Sequence, residues 1–252
     1  MTTTIAKKEE TETSTKTDLL PAERYLKTGA HIGTRYKSGE MARYVYKQRP
    51  DGLKVMDIAV IDQRIKLAAK MLSQYPAHSV IAIARKLYSQ TSAKAFAQAI
   101  GGKSLTARFI PGTFTNPMIK TFVEPKVILV AEPESDAQAI KEASQIGIAV
   151  VAFCSTNNST ANVDLVIPVN NKGRKSLGLT FWLLAREYLK ARGEIKSDAE
   201  FTMPIESFEY QVPESENALE DSGERRPFRR NNDDHDSDRP QRREGGFRRR
   251  RE

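Results

Sequence analysis

Four stretches of this chain are apolar almost from end to end: residues 79–84 (SVIAIA), 126–131 (KVILVA), 148–154 (IAVVAFC) and the shorter 165–169 (LVIPV). A strand with one wet face alternates apolar and polar residues. A continuous apolar run requires cover on both faces, the condition of a central strand in a parallel sheet. Between these runs lie segments with helical periodicity, at about 88–100 and 135–146. A further strand is read at 105–110. Strands that alternate with helices form βαβ units with right-handed crossovers. The pattern therefore predicts a three-layer, Rossmann-like α/β domain, a parallel sheet with helices on both faces.

The remaining elements fit around that sheet. Residues 18–26 read as a short helix, with Asp18 as N-cap and Gly29 as its stop. Residues 30–52 are polar, basic and rich in turn signals, and 53–58 read as a short strand. Ile61, Ile65, Ala68, Ala69 and Leu72 then form one helical stripe. A last helix at about 175–192 carries Leu177, Phe181, Leu184, Ala185 and Tyr188 on one side. Beyond Gly193 the periodicity stops. The expected organisation is a disordered tail at 1–17, a folded domain at 18–199, and an acidic linker followed by a disordered Arg-rich tail at 200–252. The tail holds few apolar residues, too few to offset the entropy of ordering it. Its Arg clusters around Phe228 and Phe247 resemble RNA-binding Arg/Gly segments, with a merely solubilising tail as the alternative.

Several function classes find no support in the residues. Cys154 is the lone cysteine, and His31, His78 and His235 are far apart, so neither a disulfide nor a zinc-ligand spacing is present. No apolar run reaches the roughly 18 residues of a membrane span. The start of the chain has no apolar signal region, which reads as a soluble cytoplasmic protein. No G-x-G-x-x-G or G-x-x-x-x-G-K-[ST] loop occurs, and the first strand runs into Ala84-Arg85-Lys86-Leu87 without a glycine. Gly101-Gly102-Lys103-Ser104 precedes its strand, at the wrong end of a sheet for cradling phosphate. Asp57 and Asp62 could serve acid–base chemistry, against the commoner roles of helix capping and surface ion pairing, and Cys154 reads as a buried thiol. The expectation is a protein without catalytic residues, cofactor or small-molecule substrate. The rival is a nucleotide- or sugar-phosphate-binding enzyme on the same fold.

The charge points elsewhere. Residues 18–199 hold 26 Lys+Arg against 15 Asp+Glu, whereas residues 213–252 carry 11 of each. The folded part thus owns the positive excess, the balance expected of a domain that meets a polyanion. Arg35, Lys37, Arg43, Lys47 and Arg49 crowd one segment, interleaved with Tyr25, Tyr36, Tyr44, Tyr46 and His31. Cations neutralise phosphates and exposed aromatic rings stack on unpaired bases. The alternative is a solvated loop whose tyrosines pack on the core. Lys172, Arg174 and Lys175 gather at the start of the last helix, where its N-terminus also favours phosphate. Lys103 and Arg108 are further candidates.

One turn stands apart. In RFIPGTFTNP, Pro111 and Gly112 set a bend at the end of a strand, and Phe114 is expected to pack inward as an anchor. Thr113, Thr115 and Asn116 are expected to bond local backbone. This run, with Gly29-Ala30-His31-Ile32-Gly33-Thr34, FVEPKVILVAEP and IPVNNKGRKSLGLTFWLLAREYL, resembles the small-subunit ribosomal protein two family, known in eukaryotes as the SA or laminin receptor precursor family. The similarity covers about residues 19–192. It implies a flavodoxin-like fold bound to small-subunit ribosomal RNA near the head–body junction, among neighbouring ribosomal proteins, with a structural role in assembly and translation. Only nine residues separate Asn116 from Lys126, too few for the helical hairpin of the bacterial branch, so the chain resembles the archaeal and eukaryotic branch. Where that family often has aspartate after its fourth strand, this chain has Cys154-Ser155-Thr156-Asn157-Asn158. A non-ribosomal RNA-binding regulator is a further alternative.

Overall fold

The computed structural model describes residues 19–211. The expectations made for the two tails, and for Asp18 as a helix cap, lie outside the described residues. In chain order the elements are α1 (Ala22–Thr28), β1 (Val45–Gln48), β2 (Lys54–Met56), α2 (Ile58–Ser73), β3 (Val80–Ala84), α3 (Leu87–Ile100), β4 (Lys103–Thr106), β5 (Val127–Val130), α4 (Ala137–Ile146), β6 (Ala149–Cys154), β7 (Leu165–Pro168) and α5 (Arg174–Arg192). Pro21 starts α1 and Gly29 ends it in the left-handed region. Asp57 caps α2 by accepting from the Ala59 amide at 3.0 Å.

β3 to β7 form one parallel sheet in the order β4-β3-β5-β6-β7. Its first three strands by sequence, β3, β4 and β5, place the second at the edge and the third beside the first. This is the doubly wound order of flavodoxin-like proteins, with its reversal between β3 and β5. The side-chain period of two sorts each strand between two cores. Val80, Ala82, Val127, Leu129, Val151, Phe153, Leu165 and Ile167 face α2, α3 and α5. Ile81, Ile83, Ile128, Val130, Val150, Ala152 and Val166 face the other way. That second face is covered by α4 and by irregular chain, through Met41, Tyr44, Phe109 and Phe114. The three layers are thus unequal.

Three expectations are corrected. The strand placed at 105–110 is β4, Lys103–Thr106, because Ala107 takes φ 70° and swings the chain out of the sheet. Phe109 and Ile110 therefore belong to the turn. Residues 45–48, read as part of a turn-rich loop, are β1, paired antiparallel with β2. β1 is largely exposed, so no apolar alternation announced it. Residues 200–211, expected to be a linker, lie on the domain. Phe208 is fully buried, the Ser92 hydroxyl donates to its carbonyl at 2.6 Å, and the Trp182 indole N–H donates to the Met203 carbonyl at 2.7 Å. This strap covers the outer side of α5, which explains why α5 is buried well beyond its apolar stripe.

Candidate nucleic-acid interface

Residues 29–57 form an arm built around the β1–β2 pair, extended by a bridge between Ile32 and Val55. The arm docks on the loops that follow β6 and β7. The Thr34 amide donates to Thr156 Oγ1 at 2.8 Å, the Thr156 hydroxyl donates to the Tyr36 carbonyl at 3.0 Å, and the Ser38 amide donates to the Thr156 carbonyl at 2.8 Å. Gly33 makes this approach possible: a Cβ there would lie 2.4 Å from Thr156 Cγ2. Glu40 accepts from the Thr160 amide at 2.7 Å and from its hydroxyl, bonds that hold its carboxyl below the ordinary range. At the start of the arm, the Asn170 amide donates to the Ala30 carbonyl at 2.9 Å and its side chain donates to the Gly29 carbonyl at 3.1 Å. All three acids of the segment are engaged: Asp57 caps α2, and Asp51 accepts from the Leu53 amide and lies 4.0 Å from Arg49. The Arg49–Asp51 pair is half exposed and weak.

On this frame Arg35, Tyr36, Lys37, Arg43, Lys47 and Arg49 are all exposed. The tyrosines divide. Tyr25 is buried and its hydroxyl donates to the Asp62 carboxylate; burial, then that bond, raises its pKa. Asp62 is itself buried and ties the start of the domain to α2, accepting also from the Leu19 amide at 3.4 Å. Tyr44 is buried between the guanidinium groups of Arg43 and Arg64, 4.8 and 5.3 Å from its ring centre. Tyr36 and Tyr46 are 79% and 73% exposed. His31 is half-buried, with Nδ1 3.3 Å from the Tyr25 carbonyl, and burial lowers its pKa. It stands within the arm's fold and not with the exposed cations.

Lys172, Arg174 and Lys175 lie beside the arm's root, because Asn170 ties both together. Gly173 opens α5 without a side-chain cap, and the Ser176 hydroxyl donates to the Asn170 carbonyl at 2.7 Å. Lys103 and Arg108 are exposed but lie at opposite ends of β4, the strand at the far edge of the sheet from β7. The structure does not bring these two to the arm.

The turn at residues 107–126 runs across the single-helix face. Phe114 is buried edge-on against Phe109, with ring centres 5.0 Å apart. Gly112 takes φ 91°. Thr113 is buried and its hydroxyl donates to the Ile110 carbonyl at 2.6 Å, while Asn116 Oδ1 accepts from the Met118 amide at 3.0 Å. Pro111, Thr115 and Asn116 are exposed. A residue that sequence reasoning missed anchors the turn. Glu142 of α4, itself buried, accepts from the Gly112 amide at 2.8 Å and the Phe114 amide at 3.3 Å. No spacing rule links residues 112 and 142, so no sequence signal points to it.

The crevice where a doubly wound sheet usually binds nucleotides opens at the carboxyl ends of β3 and β5. Here it contains the chain's own charges. Lys86 Nζ lies 2.6 Å from the buried Glu132 carboxylate, and Ser135 also donates to Glu132. Asp136, buried beside them, has its pKa pushed up to about 6, first by burial and also by Glu132. Two buried carboxylates disfavour a phosphate at this position, and its cations are Lys86, paired with Glu132, and Arg85, which donates to the Ser135 carbonyl at 3.5 Å. Cys154 is fully buried, and that burial raises its thiol to about 12. Among the described residues no helix is long and apolar enough to cross a membrane.

These features define a doubly wound α/β protein with an exposed cationic arm over its strand ends and an ion pair in the crevice at the carboxyl ends of β3 and β5. The profile of the ribosomal protein S2 family matches residues 118–191. The small ribosomal subunit protein uS2 of Picrophilus torridus is 47% identical over 194 residues, covering 77% of this chain and 97% of the relative. That of Methanoregula boonei is 52% identical over 184 residues, covering 73% and 91%, and that of Saccharolobus solfataricus 44% over 213 residues, covering 83% and 92%. The chain belongs to the small ribosomal subunit protein uS2 family, in its archaeal-type branch.

Proposed function

We propose that this chain is a structural constituent of the small ribosomal subunit in the cytoplasm, holding small-subunit ribosomal RNA through its arm and adjoining other proteins of that subunit. One observation carries the RNA assignment. Arg35, Lys37, Arg43, Lys47 and Arg49 are exposed together on a segment whose backbone is pinned to the β6 and β7 loops. Pinned cations lose less freedom on meeting phosphate than cations on a free loop. Lys172, Arg174 and Lys175 extend the surface at the arm's root, adding the positive end of the α5 dipole. The role needs no catalytic group: affinity comes from phosphate neutralisation and position from a rigid frame.

The test is Arg43, Lys47 and Arg49 changed together to Glu. These side chains are exposed, so the variant folds with an unaltered circular dichroism spectrum. It fails to co-sediment with small subunits, and its residual RNA binding shows a shallower salt dependence. Incorporation at the normal level overturns the assignment.

A further inference from the structure

We propose that Tyr36 and Tyr46 are base-stacking platforms, so that the arm selects unpaired nucleotides over uniform duplex. The inference rests on the arm being the RNA surface and adds what form of RNA it takes.

The β1–β2 ladder is irregular at one place. Val45 pairs with Met56 and Lys47 with Val55, so Tyr46 has no residue opposite it. This is a bulge, in which two residues of one strand face one of the other and a side chain is re-aimed. The consequence is visible in burial: Tyr44, two residues earlier, is buried, whereas Tyr46 is 73% exposed. Tyr36 is 79% exposed, although its own carbonyl is fixed by the hydroxyls of Thr34 at 2.8 Å and Thr156 at 3.0 Å. Both rings are thus held out from fixed backbone. Folding gains almost nothing from an aromatic ring in that position.

What surrounds the rings indicates what would cover them. Tyr36 stands between Arg35 and Lys37, and Tyr46 between Arg43 and Lys47–Arg49, all exposed. A polyanion drawn to these cations brings its bases to the rings. In a duplex the base faces are already stacked and only phosphates are available. An unpaired base offers a free face, and stacking on an aromatic ring is sequence-tolerant.

The experiment uses the full chain and fluorescence anisotropy with two probes at one salt concentration, a short oligouridylate and an RNA duplex of equal length. Tyr46→Ala and Tyr36→Ala each weaken oligouridylate binding by about 5- to 150-fold, the range of one lost stacking contact, and leave duplex binding within about twofold. Tyr46→Phe keeps the wild-type preference, since the ring and not the hydroxyl is used. Thermal melting verifies that the variants fold. Equal losses on both probes, no loss on either, or a wild-type preference for duplex overturns the inference. The Arg43/Lys47/Arg49 triple Glu variant separates the two readings. If it binds both probes normally, the basic-arm reading fails. If it loses both while the tyrosine variants lose neither, only the stacking inference fails.

Discussion

The arm at residues 29–57 and the turn at residues 107–126 are both irregular, and each sends two buried side chains into the apolar cluster on the single-helix face. From the arm these are Met41 and Tyr44; from the turn, Phe109 and Phe114. The use made of that foothold differs. The turn directs its distinctive residues inward. Thr113 and Phe114 are buried, and two of its amides converge on Glu142. The arm spends few residues on the core, lies over the strand ends, and leaves five cations and two tyrosines in solvent. The most recognisable motif in the sequence is thus structural, and the less conspicuous segment carries the proposed contact. An unusual run of residues marks a demanding local geometry as readily as it marks a binding site.

The comparison breaks most clearly at Phe114. Phe114→Ala empties a buried ring and costs about 3–5 kcal/mol of stability, read as a lowered Tm, while the protein that remains folded binds RNA normally. Loss of RNA affinity at unchanged stability would reverse the roles of the two regions. Glu142→Ala leaves the Gly112 and Phe114 amides without their acceptor and costs about 1–3 kcal/mol, measured by denaturant unfolding. Gly33→Ala forces the arm off Thr156 at a cost of roughly 1–3 kcal/mol. Its signature is faster amide exchange at Thr34 and Ser38 with no change inside β5, which distinguishes arm from sheet.

Asp136, on the chain just before α4, supplies a pH test. Its folded pKa of about 6 lies above the ordinary value of 3.8, so between these values the folded state binds more protons than the unfolded state. Stability therefore falls as pH rises through that window, by at most about 1.4 kcal/mol per pH unit, and Asp136→Asn flattens the profile. Titrated urea midpoints of the two proteins verify the sign. The smallest stability effect is at the other end of the comparison. Arg49→Ala changes stability by less than about 1 kcal/mol, yet reduces the salt slope of RNA binding by roughly 0.7–0.9.

The parts of this molecule legible in its sequence are those where one physical demand dominates. β3, β5 and β6 had to be apolar on both faces, and α2 and α5 had to present one stripe, so runs and periods showed them. β4 was misplaced because it is an edge strand, half-covered, while the apolar residues just after it, Phe109 and Ile110, belong to the turn. β1 escaped because its side chains meet water and its partner is defined by backbone bonding. Within the candidate site, charge alone pointed to the arm's cations, but it pointed equally to Lys103 and Arg108, which lie at opposite ends of β4. The tyrosines could not be sorted, since burial of Tyr44 and exposure of Tyr46 depend on a one-residue bulge and on Arg64, 20 positions away from Tyr44 in the chain. Glu142 and Thr156 were invisible for the same reason: their partners are set by the fold and not by spacing.

The ties between the arm and the last strands also impose an order on the protein's birth. Thr34 is joined to Thr156 across 122 residues and Gly29 to Asn170 across 141. A nascent chain leaves the ribosome amino end first, so the arm's cations emerge long before the loops that shape them. Until residue 170 has been made, the segment lacks the ties that fix it over the strand ends. The surface translated first is assembled last, and a truncated chain that stops short of β7 lacks the template for the arm even though it contains every one of the arm's residues.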